Sequence, residues 1–270
     1  MGDSRSAYVG VDVGSSRTKL AVMDDRKKLL GFDVRKSGTD FSATALRCLE
    51  VGLKVAGVST DRIRYCVSTG YGRKNVSFSM DTKTEISCHG KGCYYYFPMA
   101  VSIIDIGGQD NKIIKIDNSG HRIGFKMNRK CAAGTGAFLE EMSARLDIPI
   151  EDMDALARRS TEMVKLGSFC TVFSGTEVLE NIRNGKKVTD IVKGLFYSVI
   201  KRVMEMDALT EKVVMTGGVV ANNHYLVKMA EEIIGRPVLL PEYPQLTGAI
   251  GAALYALDIS TRVTEATSSG

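Results

Sequence analysis

Two stretches decide the fold: Val9–Met23, VGVDVGSSRTKLAVM, and Ser102–Ile116, SIIDIGGQDNKIIKI. Each has an apolar strand rich in β-branched residues, an aspartate near its end, a short turn of glycine and polar residues, and a second apolar strand. This pattern predicts a β-hairpin. Asp12 and Asp105 are 93 residues apart (105 − 12), and helical and strand segments follow both hairpins. The repeat predicts an internally duplicated α/β fold.

The rest of the chain divides around the second hairpin. We predict an N-terminal lobe over residues 1–100 and a C-terminal lobe over 101–260, with the final helix, 245–257, able to pack back toward the N-terminal lobe. The polar ending STRVTEATSSG predicts a flexible tail over 261–270. A chain of 270 residues can bury a large core without disulfides or metals to hold it together.

The composition argues against several classes of partner. The net charge is +5, from 36 basic and 31 acidic residues, and no basic run is long enough to predict a nucleic-acid partner. No stretch reaches the roughly 18 apolar residues of a membrane span, and the N-terminus enters a strand at about Ala7 without an apolar signal core. We therefore expect a cytoplasmic protein, whose six cysteines are reduced thiols or ligands.

Each predicted hairpin carries residue types that phosphoryl transfer needs. Glycines let backbone N–H groups approach an anion, and hydroxyl and cationic side chains add donors. Asp12 and Asp105 are candidates to hold Mg²⁺ through waters, and Gln109 can orient a water. The predicted phosphate-binding residues of this ATP site are Ser15, Ser16, Arg17, Thr18, Lys19, Gly107 and Gly108. Two ordinary Asp-Gly turns are the alternative, and the absence of GxxxxGK[ST] excludes a P-loop enzyme.

The two hairpins and the later segment TGGVVANN resemble the superfamily of sugar kinases, heat-shock chaperones and actin. That resemblance implies an α/β fold with two lobes around a nucleotide cleft. It also implies that Met215–Asn222, which includes Gly217 and Gly218, lies against the adenosine. Gln245 would approach the nucleotide from the final helix.

Two cysteines precede predicted helices, Cys131 in KCAAGTGAFLEEM and Cys170 in FCTVFSGTEVLE. A helix N-terminus stabilises a thiolate. The two cysteines are 39 residues apart (170 − 131), and two thiolates do not complete a zinc or iron–sulfur site. The spacing leaves two interpretations open: two small buried side chains, or half of a site that two subunits share.

The motifs NRKCAAGTGAFLE, GSFCTVFSGTEV, STGYGRKN, EISCHGKG and IIDIGGQDNK resemble one branch of that superfamily. This branch, the BadF/BadG/BcrA/BcrD-type ATPases, holds the activators of 2-hydroxyacyl-CoA dehydratases and the ATPase subunits of benzoyl-CoA reductase. The resemblance runs from about Tyr8 to Asp258. It implies that Cys131 and Cys170, with two cysteines of a second subunit, hold one [4Fe–4S] cluster. ATP hydrolysis would then drive one-electron transfer at very low potential, with lobe closure moving the cysteine helices.

Within the branch, GKGCYYYFP, NRKCAAGTGAFLEEM and FSGTEV are closer to the smaller ATPase subunit of benzoyl-CoA reductase. The activators more often have NDKCAAGTGRFLD and FAESEV, so Arg129 replaces an acid and Ser174-Gly175-Thr176 replaces Ala-Glu-Ser. The resemblance therefore implies an ATP-dependent oxidoreductase component. It would pair with a homologous larger ATPase subunit, receive electrons from reduced ferredoxin, and pass them to catalytic acyl-CoA-binding subunits that dearomatise benzoyl-CoA.

Three alternatives stay open. The chain could be a homodimeric activator of a 2-hydroxyacyl-CoA dehydratase. A small-molecule kinase, such as a sugar kinase, would need a catalytic base that no segment marks, and a non-catalytic nucleotide switch would not need the two cysteines. The group Cys88, His89 and Cys93 is interpreted as structural. Glu177 could either reach the nucleotide or pair with a surface base.

Overall fold

The computed structural model describes residues 6–167 and 170–268, except for the side chains of 266–268. Its strands are β1 (Ala7–Val13), β2 (Arg17–Met23), β3 (Leu29–Lys36), β4 (Ile63–Thr69), β5 (Asp81–Thr82), β6 (Val101–Ile106), β7 (Asn111–Ile116), β8 (Arg122–Asn128) and β9 (Val213–Thr216). Its α-helices are α1 (Phe41–Ala56), α2 (Glu85–Tyr96), α3 (Gly136–Leu146), α4 (Met153–Arg158), α5 (Thr171–Arg183), α6 (Val188–Met204), α7 (Gly218–Asn222), α8 (His224–Ile234) and α9 (Thr247–Ser268).

The first of two compact units contains the described residues up to Met99, Ile116–Arg122, and the described residues from Gln245 onward. Its sheet has the order β3-β2-β1-β4-β5, with β1 antiparallel to β2 and parallel to β4. Alternate residues of β1 point to opposite faces. Val9 and Val11 pack in the core with α1, and Tyr8 packs with α9, so helices cover both faces of this strand.

Local signals explain where two helices of this unit lie. α1 begins where the Asp40 carboxylate accepts a hydrogen bond from Ala43 N at 2.9 Å, and it ends at Gly57, whose φ of 67° is left-handed. α9 lies close to β1 because small residues, among them Ala249 and Ala253, form its buried face. A side chain at Gly10 of β1 would collide with the α9 backbone at these two alanines.

The second unit contains Ala100–Lys115 and the described residues of 123–244. Its sheet has the order β8-β7-β6-β9, and parallel strands β6 and β9 pair Asp105 with Thr216. The helices bury a large apolar core against this sheet, which includes Ile104, Phe138, Phe196 and Leu226. Packing in this core keeps β6 and β9 in register, so that Asp105 and Thr216 lie side by side at the ends of the two strands.

The two sheets follow one plan. The order β3-β2-β1-β4 in the first unit matches β8-β7-β6-β9 in the second. In both hairpins an aspartate is the next-to-last residue of the first strand, and a lysine on the second strand bonds to it. Lys19 and Lys112 are 93 residues apart (112 − 19), as the two aspartates are. The predicted internal duplication is confirmed.

The first unit contains Ile116–Arg122, which the prediction placed in the C-terminal lobe. It also contains the described residues from Gln245 onward, because the small face of α9 packs on β1; the prediction placed the final helix in the range 101–260 but able to pack back toward the N-terminal lobe. The predicted flexible tail over 261–270 differs from the structure over its described part, because α9 continues to Ser268 and contains no glycine or proline after Gly251. Among the described helices, none combines the length and apolar character of a membrane span.

Candidate functional site

Asp12 lies at the end of the β1–β2 hairpin and is almost fully buried. Its Oδ2 accepts a hydrogen bond from Lys19 Nζ at 3.0 Å. Its Oδ1 is buried and accepts no hydrogen bond from any described residue. A buried carboxylate oxygen without a donor is costly unless a water or a cation satisfies it. Asp12 therefore fits the predicted role of holding Mg²⁺ through water, and Lys19 keeps the carboxylate in place.

Hydrogen bonds among its own residues and Ser37 stabilise the turn between β1 and β2. Gly14 N donates to Arg17 O at 3.1 Å. Thr18 is fully buried, and its hydroxyl lies 3.0 Å from Ser37 Oγ, which donates to Gly14 O at 2.6 Å. The Thr18 hydroxyl therefore supports the turn from inside, and the predicted contact of Thr18 with phosphate stays a prediction. The predicted phosphate-binding residues of this hairpin that are at least partly exposed are Ser15, Ser16, Arg17 and Lys19.

His89 lies beside Asp12 in the first unit, although the sequence analysis gave it a structural role. Its Nδ1 is 3.1 Å from Thr247 Oγ1, and its Nε2 is 3.9 Å from Glu85 Oε1 on the preceding turn of α2. A Cβ on Gly248 would lie 3.0 Å from Asp12 Oδ2 and 3.1 Å from His89 Nε2. The carboxylate and the imidazole therefore line the same space. The i, i+4 spacing of Glu85 and His89 was the signal that could have revealed this pair.

Cys88 and Cys93, which lie on the same helix as His89, are fully buried, in agreement with the structural role predicted for them.

The second hairpin contains a denser network around Asp105. Its Oδ2 accepts from Lys112 Nζ at 3.1 Å, and its Oδ1 accepts from Thr216 Oγ1 at 2.9 Å. Lys112 also donates to Asp110 Oδ1 at 2.8 Å and is 1% exposed. Neither Lys112 nor Thr216 was predicted as a site residue from the sequence. The 93-residue repeat was the signal for Lys112, because it is the counterpart of Lys19.

We predict that Lys112→Met lowers the free energy of unfolding by about 3–5 kcal/mol, because it leaves the carboxylates of Asp105 and Asp110 without their ammonium group. The matched control is Lys83→Met, which removes a lysine from the partly exposed carboxylate of Asp81 and should cost about 1 kcal/mol or less. Urea unfolding followed by circular dichroism measures both, since the chain has no tryptophan. Equal costs for the two variants would contradict the argument from burial.

The remaining predicted nucleotide residues lie on turns. Gly107 N donates to Asp110 O at 2.9 Å, so this amide is committed to the β6–β7 turn, whereas Gln109 of the same turn is exposed. Gly217 has a φ of 100° and donates to Pro244 O at 2.9 Å, and Gly218 begins α7. Gln245 is the first residue of the segment that leads into α9. Their contacts with a nucleotide stay predictions.

The six cysteines divide into two groups. Cys48, Cys66, Cys88 and Cys93 are buried, and burial raises the pKa of the Cys48, Cys66 and Cys88 thiols to about 12. Cys131 is partly exposed and Cys170 is exposed, and both belong to the second unit. Two accessible thiols in one unit are a donor set that fits half of a shared [4Fe–4S] cluster. Cys170 is the N-cap residue of α5, but Cys131 lies in a loop five residues before α3 (136 − 131).

Two contacts of α5 involve residues whose role the sequence left open. Glu177 Oε2 accepts a hydrogen bond from Gly167 N at 2.7 Å, so this carboxylate holds the backbone at Gly167. At Gly175, where the sequence comparison placed an acid in the activators, the Arg145 side chain of α3 fills the space. A Cβ there would lie 2.7 Å from Arg145 Cζ. The departure at position 175 is therefore matched by packing between α3 and α5.

Comparisons with known proteins agree over nearly the whole chain. The profile of the BadF/BadG/BcrA/BcrD ATPase family matches residues 9–256. The activator of lactoyl-CoA dehydratase from Anaerotignum propionicum is 40% identical over 257 residues, which cover 94% of this chain and 98% of that protein. The solved activator of 2-hydroxyisocaproyl-CoA dehydratase from Clostridium difficile, with bound ADPNP, is 37% identical. It has a TM-score of 0.90 and covers 96% of this chain and 97% of its own.

Two more distant comparisons test the predictions. A benzoyl-CoA reductase component from Thauera aromatica is 26% identical over 258 residues, 91% of both chains. The higher identity of the activators favours the alternative function, a dehydratase activator, over the main prediction. A ROK family glucokinase from Streptomyces griseus is 12% identical, with a TM-score of 0.57 over 94% of this chain and 100% of its own. This likeness concerns the fold alone, and the predicted sugar-kinase type of ATPase fold is confirmed.

Proposed function

Because the chain belongs to the BadF/BadG/BcrA/BcrD ATPase family, we propose that it is the ATP-hydrolysing activator of a 2-hydroxyacyl-CoA dehydratase. The observation that carries this proposal is the 40% identity to the lactoyl-CoA dehydratase activator along almost the full length of both proteins. The activator has no acyl-CoA chemistry of its own in this proposal. It couples hydrolysis of ATP to reduction of a separate dehydratase.

The two hairpins serve the nucleotide. Mg²⁺, when bound, neutralises phosphate charge and polarises the phosphoryl group. Asp12 holds the ion through water with its Oδ1, while Lys19 fixes Oδ2. Asp105, held by Lys112 and Thr216, contributes a second carboxylate of fixed orientation. The exposed side chain of Gln109 orients a water for attack on the terminal phosphate. Gly217, Gly218 and Gln245 contribute to binding the rest of the nucleotide.

The two accessible cysteines are the proposed ligands of the electron-transfer cluster. Cys131 and Cys170 provide two thiolates, and a second copy of this chain provides the other two that a [4Fe–4S] cluster requires. A [4Fe–4S] cluster held by these thiolates would provide low-potential one-electron chemistry, with reduced ferredoxin as the donor and the dehydratase as the acceptor. Glu177 holds the backbone at Gly167, and the N-terminus of α5 offsets the negative charge of the Cys170 thiolate.

The test is anaerobic purification of the chain expressed alone, followed by iron and sulfide analysis and mass measurement. We expect a dimer of this chain with about one [4Fe–4S] cluster per two chains. With MgATP and a chemical reductant, it should activate a 2-hydroxyacyl-CoA dehydratase. Iron incorporation only on co-expression with a second, homologous ATPase subunit would contradict the proposal and favour the benzoyl-CoA reductase arrangement. An iron-free protein that phosphorylates a sugar would reject both.

A further inference from the structure

Three hydrogen bonds join the β6–β7 turn and the adjoining Asn111 to Gly134 and the first two residues of α3 within the second unit. Gly107 O accepts from Gly136 N at 2.9 Å, and Gly108 O accepts from Ala137 N at 2.7 Å. Asn111 Nδ2 donates to Gly134 O at 2.9 Å. The first amides of α3 are therefore bonded to the turn that carries the proposed phosphate-binding glycines.

Asn111 is the side chain in this connection. It is fully buried at the start of β7, directly after Asp110 of the turn. Its Oδ1 accepts no hydrogen bond from any described residue, so the donor bond to Gly134 is what its amide contributes. Gly134 has a φ of 81°, and a Cβ there would lie 2.7 Å from Asn111 Nδ2. The contact therefore needs an asparagine on one side and a glycine on the other.

The other end of the same loop is also tied to the sheet. Asn128, the last residue of β8, donates from Nδ2 to Cys131 O at 2.9 Å and accepts from Cys131 N at 3.3 Å. β7 and β8 are neighbours in the sheet. The backbone of Cys131 is thus anchored at Asn128, and three residues later the loop is anchored to Asn111 of the turn.

We infer that Asn111 is a positioning residue that transmits a change in the Gly107–Asp110 turn to the Cys131 loop when nucleotide binds. This inference rests on the proposed function, which places phosphate at the turn and a cluster ligand at Cys131. A phosphate that shifts the turn moves the Asn111 amide with it, because Asn111 follows Asp110 along the chain. The Gly107 and Gly108 carbonyls move the start of α3 in the same step. Asn128 leaves the Cys131 peptide attached to β8, so the loop must change shape between its two anchors.

The test measures the alkylation rates of Cys131 and Cys170 by iodoacetamide and mass spectrometry in the full chain without cluster. Rates are compared with and without ADPNP and Mg²⁺. In the wild-type chain we expect the nucleotide to change the Cys131 rate by about five-fold or more. In Asn111→Leu, which keeps the branched shape of the side chain and removes the donor, that change should fall below about 1.5-fold while ADPNP still binds. Cys170 in the same molecule is the internal reference.

A matched control removes the same kind of bond without the connection. Asn181 donates to Glu177 O at 2.8 Å inside α5, so Asn181→Leu should keep the wild-type nucleotide effect on Cys131. Gly136→Ala is a second variant in case Asn111→Leu does not fold. Its methyl group would lie 3.2 Å from Gly108 Cα and 3.3 Å from Gly107 O, which should weaken the effect by loosening α3 from the turn.

The outcomes separate this inference from the proposed function. If Asn111→Leu binds ADPNP and keeps the full change in the Cys131 rate, Asn111 has only a structural role and the inference is wrong. If ADPNP binds the wild-type chain and leaves the Cys131 rate unchanged, the inference also fails, while nucleotide binding stands. If ADPNP binds no form of the chain, the proposed function itself fails.

Discussion

Asp12→Asn is expected to lower the rate of ATP hydrolysis about 10³-fold, equivalent to about 4 kcal/mol of activation free energy. The reason is the direction in which the new amide must point. Lys19 Nζ donates to Oδ2 at 3.0 Å, so the oxygen of the substituted side chain has to stay on the lysine side. The NH₂ group then occupies the place of Oδ1, the buried oxygen for which no described residue supplies a donor. Amide hydrogens would face the place proposed for Mg²⁺ and its waters.

The folded state should tolerate this change well. The hydrogen bond from Lys19 persists, although to a neutral oxygen, so we expect a loss of about 1 kcal/mol in the free energy of unfolding. A steady-state ATPase assay over a range of Mg²⁺ concentrations measures the effect on hydrolysis. The matched control is Asp24→Asn at the far end of the same hairpin, where the carboxylate accepts from the backbone amides of Arg26 and Lys28. Asp24→Asn should hydrolyse ATP normally. An Asp12→Asn rate within about three-fold of wild type would remove Asp12 from the metal site.

The parts of the fold that the sequence predicts are those set by neighbouring residues. Continuous apolar strands joined by turns of glycine and polar residues define both hairpins, and the Asp12–Lys19 geometry recurs 93 residues later as Asp105–Lys112. Lys112 was not predicted as a site residue, because the apolar residues beside it on β7 indicate only a strand. The 93-residue repeat does predict it, as the counterpart of Lys19. The interpretation of Cys88 and Cys93 as core residues agrees with their burial.

Contacts between distant parts of the chain could not be predicted from local pattern. His89 and Thr247 are 158 residues apart, and only the packing of α2 on α9 brings the imidazole beside Asp12. The same holds for Gly134 and Asn111, whose bond depends on how the Cys131 loop returns to the sheet. The extent of α9 was missed for another reason, because residues 261–265 of this helix are exposed and need no apolar partner.

The choice of partner was drawn from short motifs, and these are sensitive to local packing. FSGTEV favoured the reductase because it has glycine in place of an acid at position 175. The structure gives that glycine a local reason, since Arg145 fills the space over it. A substitution at the contact between α3 and α5 can therefore change the FSGTEV motif without changing which enzyme the chain acts on. Identity summed over about 250 residues is less sensitive to such an exchange, and it favours the activators.

Cys131→Ser and Cys170→Ser are each expected to abolish cluster binding and, with it, activation of the dehydratase, while ATP binding stays within about two-fold of wild type. A serine hydroxyl stays protonated at neutral pH and cannot replace a thiolate ligand, so we expect iron affinity to fall by at least about 100-fold. In a dimer each single substitution removes two of the four ligands. Iron analysis after anaerobic purification and an ATP-binding assay on the same sample measure the two effects separately.

Cys66→Ala is the matched control, because it removes a thiol that is buried in the first unit and whose pKa burial raises to about 12. It should cost about 1 kcal/mol of stability and leave the iron content unchanged. Full iron content in Cys131→Ser would mean that the accessible thiols are not the ligands. Loss of ATP binding together with iron would mean that the cysteine loop and the phosphate turn cannot be altered separately. Joint loss in Cys131→Ser has a physical route, because the amides of Gly136 and Ala137 bond to the phosphate turn. Cys170 lies outside this connection, so Cys170→Ser should lose iron and keep ATP binding even if Cys131→Ser loses both.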